Sequence, residues 1–424
     1  MKVKTKVKAG ALKMKSCVFI LAFVMVTALG FTTNGDTQYQ VIYTSQDLSG
    51  HSVVAEVNPG GGTSCAGGSD ADVSIASFGS YGEVTSNVNL ENIWVNAIGH
   101  KKFIETFPND SPVRLGVYKY TGQIRLPRNP VPDATQSEIP EAVQFKVELW
   151  DGRDELWPSN KTTLEGNIYW FLNPWNIDYG KIKVYTNDVT GNLILVDTGI
   201  YLTPDIDWHA FEVVVDFKSQ KFISITIDGE MRVLSDVKLA EVYHPTWGNE
   251  VAIGVAQESM AAWPKGDCSA VFTWTTQFRD LELSYYTIVD IDIKLGSESN
   301  SINLKSKGVI PVAILSTDCF DATTIDGSTV KFCPAGAAPA HDAGHLEDVN
   351  GDGNLDWVGY FKTQETGLSS GDTEASITGK TKDEVPFKGT DSVSSGGGKG
   401  GKAAPALNSH SKLTTTWARL KAKH

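Results

Sequence analysis

The 424 residues carry 37 Lys and Arg against 50 Asp and Glu, a net charge of −13. So acidic a chain argues against a binder of nucleic acid or anionic membrane, which needs a basic surface. With 41% hydrophobic and 21% charged residues it reads as globular and long enough for two or three domains, and its 11 Trp, 13 Tyr and 40 Gly tilt it towards β structure and aromatic surfaces.

The chain opens with Lys2, Lys4, Lys6, Lys8, Lys13 and Lys15. An apolar run from Cys17 to Leu29 follows, with small residues at Ala28 and Gly30. This order predicts a secretory signal peptide over residues 1–30. The run is shorter than the ~20 residues a membrane span needs, so a secreted or cell-surface protein with no membrane span is expected. Removing the segment takes away six lysines and no acids, leaving 31 Lys and Arg against 50 Asp and Glu, or −19. Cys65, Cys268, Cys319 and Cys333 remain, an even number in an exported chain. Of the three possible connectivities, Cys319–Cys333 with Cys65–Cys268 keeps one disulfide in each expected domain.

From residue 31 to 286 short alternating apolar runs are separated by Gly, Asn, Asp and Pro clusters, the pattern of an all-β domain. Val143–Trp150 alternates. Lys181–Thr186 and Leu193–Asp197 flank a hairpin turn at Asn187–Asn192. Phe211, Val213, Val215 and Phe217 share one strand face, as do Ile223, Ile225 and Ile227, and Asp228-Gly229 forms a tight turn. No stretch sustains a 3.6-residue period, so a β-sandwich is expected. The runs Trp208–Phe217, Ile223–Gly229 and Phe278–Leu283 resemble the concanavalin A-like (laminin G-like) jelly roll. That resemblance implies two curved antiparallel sheets with ligands on the concave face or at the loop rim.

Aromatic residues concentrate in the middle of this domain. Trp150, Asp151, Arg153 and Trp157 form one group, and Asn173, Trp175 and Tyr179 a second; Trp247 and Trp263 follow. Aromatic faces stack on the apolar faces of sugar rings, while Asp, Asn and Arg bond the hydroxyls. These nine residues are therefore the candidate carbohydrate-binding set, and an extracellular polysaccharide or glycan is the expected partner. Tryptophans such as Trp150 and Trp170, in strand-like runs, also suit a core.

Around Asp290 the character changes, and residues 287–393 read as a second, smaller β-rich domain. Its stretches Ile302–Leu315, Glu347–Asp356, Phe361–Leu368 and Gly371–Ala375 resemble a C-terminal accessory module of secreted prokaryotic proteins. Within it, Asp348, Asn350, Asp352 and Asp356 alternate around Gly353 like most of an EF-hand-type loop, with the Asn354 carbonyl in reach. Calcium takes six to eight oxygens, and this spacing supplies four side chains and one carbonyl towards them. The bidentate acid of the twelfth loop position is replaced by Gly359, so a weak structural Ca²⁺ site is expected. Residues 394–424 are low in complexity and read as a flexible tail.

No catalytic motif stands out. A retaining glycosidase needs two carboxylates about 5–5.5 Å apart, and neither Asp290/Asp292 nor Asp280/Glu282 makes a convincing pair. Glu148 and Asp151 flank Trp150 at an odd spacing that predicts opposite faces. The first reading is a carbohydrate-binding or adhesive protein with a structural calcium site. A glycoside hydrolase or polysaccharide lyase, and a structural envelope protein, are the alternatives.

Overall fold

The structure, a computed structural model, describes residues 39–59, 72–88, 92–103, 116–130, 140–151, 162–243, 251–262, 272–297, 299–317 and 320–395. The expected signal peptide and tail lie outside these. Among the described residues no helix is long and apolar enough to cross a membrane.

The first sixteen strands are β1 (Gln40–Ser45), β2 (Ser52–Pro59), β3 (Asp72–Ser77), β4 (Gly82–Val88), β5 (Asn92–Lys102), β6 (Gly116–Arg125), β7 (Pro140–Asp151), β8 (Thr162–Phe171), β9 (Lys181–Asn187), β10 (Leu193–Tyr201), β11 (His209–Asp216), β12 (Lys221–Ile227), β13 (Glu230–Val233), β14 (Ala240–Tyr243), β15 (Val251–Ala262) and β16 (Phe272–Val289). They form the all-β sandwich that the alternating runs predict. One sheet runs β13-β12-β11-β6-β16, with β4 and β1 also on β16 and β3 on β4. The other runs β10-β9-β8-β7-β15-β5-β2, with β14 on β8.

Period-two side chains from both sheets fill the space between them. Tyr120, Phe211, Val213, Val215 and Phe278 come from the first sheet, and Val143, Phe145, Val147, Leu149 and Ile253 from the second. Phe145 and Phe211 stack across the layer with centroids 4.2 Å apart. The Asn187–Asn192 hairpin forms as read, closed by Asp188, whose carboxylate accepts the N–H groups of Thr190 and Asn192. Asp228 and Gly229 turn at φ 48° and 83°, the left-handed pair of a tight hairpin. One face assignment needs correcting. The register between β11 and β12 shifts at Val214/Val215, and this bulge turns Phe222 into the core in place of Ile223, which packs outside with Val214 and Tyr286.

Strand β16 organises the chain. One edge pairs with β6, while the other takes in succession β4, β1 and a strand of the second domain. That domain holds β17 (Ile291–Ile293), β18 (Ser301–Ile302), β19 (Val309–Ile314), β20 (Ile325–Phe332), β21 (His345–Glu347), β22 (Asp356–Lys362), β23 (Glu374–Thr381), β24 (Pro386–Ser392) and β25 (Ser394–Ser395). Thr287–Val289 of β16 pair in parallel with Phe387–Gly389 of β24, so one sheet continues through the expected boundary. The second domain still has its own core, around Ile293, Val312, Phe332, Phe361 and Ile377.

Candidate functional site

Because Val143, Phe145, Val147 and Leu149 enter the core, alternation sends Gln144, Lys146, Glu148 and Trp150 to the other face of the second sheet. Register extends the set sideways. Gln144 lies opposite Tyr169 and Glu258, Lys146 opposite Asn167 and Ala256, and Glu148 opposite Glu165 and Gly254. From β15 the pairing passes to β5, placing Asn96 and His100 on the same face. A face turned away from a sandwich core usually meets water. Here Lys146, Glu148, Glu165 and Glu258 are all buried.

Lys146 is the hub. Its Nζ lies 3.2 Å from Glu148 Oε2, 3.2 Å from Glu165 Oε1 and 3.4 Å from Glu258 Oε1. Each carboxylate has further partners. His100 Nε2 is 2.6 Å from Glu148 Oε1, Asn96 Nδ2 donates to Glu258 Oε2 at 2.6 Å, and Thr163 and Asn167 donate to Glu165. The amide oxygens of Asn96 and Asn167 stay buried without a hydrogen-bond partner. Gly254 underlies the His100–Glu148 pair: a Cβ there would stand 2.8 Å from both Glu148 Oε1 and His100 Nε2.

The surroundings separate the two nearest acids. Burial works to raise Glu148, but Lys146 and His100 outweigh it and hold the carboxyl below the usual range. Burial dominates at Glu258 despite Lys146, helped by the nearby Glu56 charge, and pushes it up to about 7. Burial opposes the Lys146 charge, yet Glu165, Glu148, Glu258 and Glu56 keep that ammonium protonated well above its ordinary range.

Beside the charged cluster the same face turns aromatic. Tyr169 and Phe171 pack with Ala142 and Met260, and the half-buried Trp94, Tyr185 and Leu195 border them. Tyr169 meets Phe171 at 4.4 Å and Tyr185 edge-on at 5.8 Å.

The sequence-derived carbohydrate set is only partly assembled there. Trp150 lies on this face but is 1% exposed, so it is packing rather than a stacking platform, and its candidacy is corrected. Asn173 donates to Glu141 at 2.6 Å and accepts the N–H of Trp175, fixing a turn at the aromatic end. On that turn Trp175 is 37% exposed, Tyr179 is half-buried, and Asp178 holds Lys181 and Lys183. Arg153, Trp157, Trp247, Trp263 and the side chain of Asp151 lie outside the described residues.

The Asp348–Asp356 loop is a tightly hydrogen-bonded turn. Asp348 accepts the N–H groups of Gly351 and Gly353, Asn350 and Asp352 accept those of Asp352 and Asn354, and buried Asp356 accepts those of Ser316 and Val349. The donors are the hard oxygens a calcium ion takes, and burial together with Asp352 and Asp348 raises Asp356. As placed they bond backbone N–H groups of the loop and of Ser316, and among the described residues no three His, Cys, Asp or Glu side chains draw together as a metal site. Cys333 is a free, buried thiol, packed in the second core at a left-handed turn (φ 62°). The expected bridge at Cys333 is therefore corrected. Cys65, Cys268 and Cys319 lie outside the described residues.

Two carboxylates on one strand, the pattern expected from sequence, are not what the face carries: its acids, Glu148, Glu165 and Glu258, are spread over several strands, with Lys146, His100, Asn96, Trp94 and Tyr185. A signal was present. Gln144, Lys146 and Glu148 alternate with Phe145, Val147 and Leu149, as Glu165 and Asn167 do with Leu164 and Ile168, and the neighbouring runs are strongly apolar.

No known family model matches the chain, and no curated protein does. Among solved structures it is similar to the catalytic domain of an endo-1,3-β-glucanase (laminarinase) from Thermotoga petrophila, at 9% identity over 59% of this chain and 98% of that one, TM-score 0.32. It is also similar to peanut lectin, at 10% identity over 56% and 98%, TM-score 0.30, and to the alginate lyase Aly36B, at 9% identity over 54% and 96%, TM-score 0.28. Likenesses this distant carry no argument about activity.

Proposed function

We propose that the sandwich domain binds a glycan along the face of the β7, β8, β15 and β5 strands that turns away from the core, in a secreted or cell-surface protein. The observation that carries this reading is the pairing, on one face, of a buried polar cluster with an aromatic border. Burying charges is expensive unless they are paired, and groups so perturbed gather at functional sites. The half-buried Trp94 and Tyr185 offer rings to the apolar side of a sugar, while the buried amides of Asn96, Gln144 and Asn167 brace the charged cluster on the same face. Trp175, on the turn beside Phe171, extends the platform.

In the second domain the Asp348–Asp356 loop is proposed as a structural Ca²⁺ site, with Asp348, Asn350, Asp352, Asp356 and the Asn354 carbonyl as donors. The oxygen donor set and its alternating spacing around Gly353 support this reading.

A glycan array followed by titration of the hits tests the main proposal. Binding at micromolar Kd or weaker, about −8 kcal/mol or smaller in magnitude, is expected. Failure to bind any glycan on the array would overturn it.

A further inference from the structure

The first sheet carries a second constellation that the glycan face does not use. On β6 and β16 the side chains that alternate with core residues, among them Gln123, Arg125, Gln277 and Arg279, turn outward. Register sets Gln277 opposite Arg125 and Arg279 opposite Gln123. Both guanidinium groups lie against the half-buried Trp208, Arg125 at 4.5 Å and Arg279 at 4.1 Å from the ring centre. Such stacking fixes each fork before any ligand arrives. Arg125 donates its Nε to Gln277 at 2.7 Å, and Arg279 donates Nε and Nη2 to Gln123. Both Nη groups of Arg125 and Nη1 of Arg279 make no hydrogen bond among the described residues. Counter-charge is thin. Asp280, 40% exposed, lies 3.4 Å from Arg279, and Glu83 is engaged by the Gln277 amide rather than by Arg125. On a chain of net charge −13, the two arginines form a local place for an anion.

The neighbours of the arginines indicate what bears that anion. Strand β16 bulges between Arg279 and Glu282. Leu281 enters the core there, while Asp280 takes a left-handed φ of 52° and lines the outer side. A cavity of about 320 Å³ opens beside it, lined by Thr121, Gln123, Glu212, Thr226 and Asp280, in the size range of small-ligand sites. Its hydroxyls, amide and carboxylates suit a polyhydroxylated molecule. At the arginine end stands the turn between β3 and β4. The Phe78 N–H closes it on the Tyr81 carbonyl, and buried Asp47 accepts the Gly79 N–H. The turn presents Phe78 and Tyr81 as stacked rings 4.9 Å apart, with Phe78 53% exposed. Arg125 lies 5.7 Å from the Tyr81 ring, so platform and forks are contiguous.

We propose that the outer face of the first sheet is a separate binding site for a uronate-bearing saccharide. The sugar carboxylate meets the open guanidinium edges of Arg125 and Arg279, whose planar forks match its two oxygens. Ring hydroxyls donate to Glu212 and Asp280 in the cavity, and the apolar face of a neighbouring unit lies on Phe78 and Tyr81. The same acids set the selectivity. A chain dense in sulfates would crowd its charges against Glu212 and Asp280, and an acidic peptide brings no hydroxyls to satisfy them. One carboxylate per ring, with hydroxyls around it, fits both ends of the site. The site does not depend on the glycan face of the second sheet, so one sandwich holds two saccharides of different charge, one on each side.

The test titrates the full chain with oligomers of galacturonate, mannuronate and glucuronate. Their carboxyl-reduced neutral counterparts, a sulfated galactan oligomer and oligoglutamate are the comparison arms. At least one uronate should bind, more weakly at high salt, with its reduced counterpart on the order of tenfold weaker or worse. Arg125→Gln and Arg279→Gln should each weaken uronate binding on the order of tenfold. Arg125→Lys and Arg279→Lys should weaken it too, because an ammonium keeps the charge but neither the fork nor the stack. Trp94→Ala, on the other sheet, should leave uronate affinity unchanged. Loss of neutral-glycan binding in the wild type would sink the earlier reading and leave this one standing. Failure of every uronate to bind, or equal affinity for the reduced counterpart, would overturn the proposal. So would equal or tighter binding of the sulfated oligomer or oligoglutamate, a uronate affinity that follows Trp94, or full affinity in both lysine variants. Melting profiles verify each fold, and if a glutamine variant is unfolded the lysine variants and the wild-type ligand series decide.

Discussion

Replacing Lys146 by methionine keeps the apolar stem of the side chain and removes its ammonium. Glu148, Glu165 and Glu258 each lie within 3.4 Å of that nitrogen in buried surroundings, so the variant leaves carboxylates buried without their counter-charge. Breaking a buried pair from one side costs about 3–5 kcal/mol, which for a domain of this size is roughly 10 °C of melting temperature. The pH dependence fixes the sign. Lys146 is raised above its ordinary value, so its contribution is present below that value and is lost only at strongly alkaline pH. Glu148 is held low in the wild type, and its contribution is lost only as pH falls through that depressed value. Without Lys146, burial drives both Glu148 and Glu258 upward, and they take up protons as pH falls. The deficit of Lys146→Met should therefore be larger at pH 8 than at pH 5. Tryptophan-monitored thermal unfolding measures both quantities. A loss under about 1 kcal/mol, or one equal at the two pH values, would refute the argument that the ammonium holds the three acids.

Gly254→Ala puts a methyl group 2.8 Å from the His100 and Glu148 tips and should cost about 1–3 kcal/mol by overpacking; an unmoved denaturant midpoint would show that the pair is not seated over that strand. Cys333, whose thiol burial pushes up to about 12, should resist alkylation in the native protein and react on unfolding; fast native labelling in a mass spectrum would contradict its burial. If Asp348–Asp356 holds calcium, ten times Kd of the ion should stabilise the second domain by about 1.4 kcal/mol and Asp352→Ala should abolish the effect. Calorimetric transitions indifferent to both EDTA and the substitution would leave the loop a turn.

Much of the sandwich is legible in the chain because alternation and turn chemistry are local. Phe211, Val213 and Val215 declare a core face by spacing alone, and Asp228-Gly229 declares its hairpin. Ile223 escapes because a bulge has no periodic signature: one shifted pairing moves Phe222 inward and Ile223 out. The polar cluster escapes for a different reason. Glu148, Glu165 and Glu258 are separated by 17 and 93 residues in sequence and become neighbours only through the register of β7 with β8 and β15. Trp150 misleads because Asp151 and Arg153 beside it suggest a sugar contact, whereas its strand-like run, which the strand carries through to Asp151, buries the ring. At Cys333 an even cysteine count suggests pairing, while packing in the second core gives the thiol an apolar setting of its own.

Glycan is proposed to lie on the face bearing Trp94 and Tyr185. The opposite sheet supplies an internal control, because Trp208 stands there between Arg125 and Arg279, with ring contacts of 4.5 and 4.1 Å. Calorimetric titration of the best neutral glycan into the wild type, Trp94→Ala and Trp208→Ala, each checked for an intact melting profile, compares the two faces directly. Binding to Trp94→Ala should be roughly tenfold weaker, about 1.4 kcal/mol, with an unchanged Kd for Trp208→Ala. The reverse pattern, with Trp208→Ala weakened and Trp94→Ala unaffected, would contradict it.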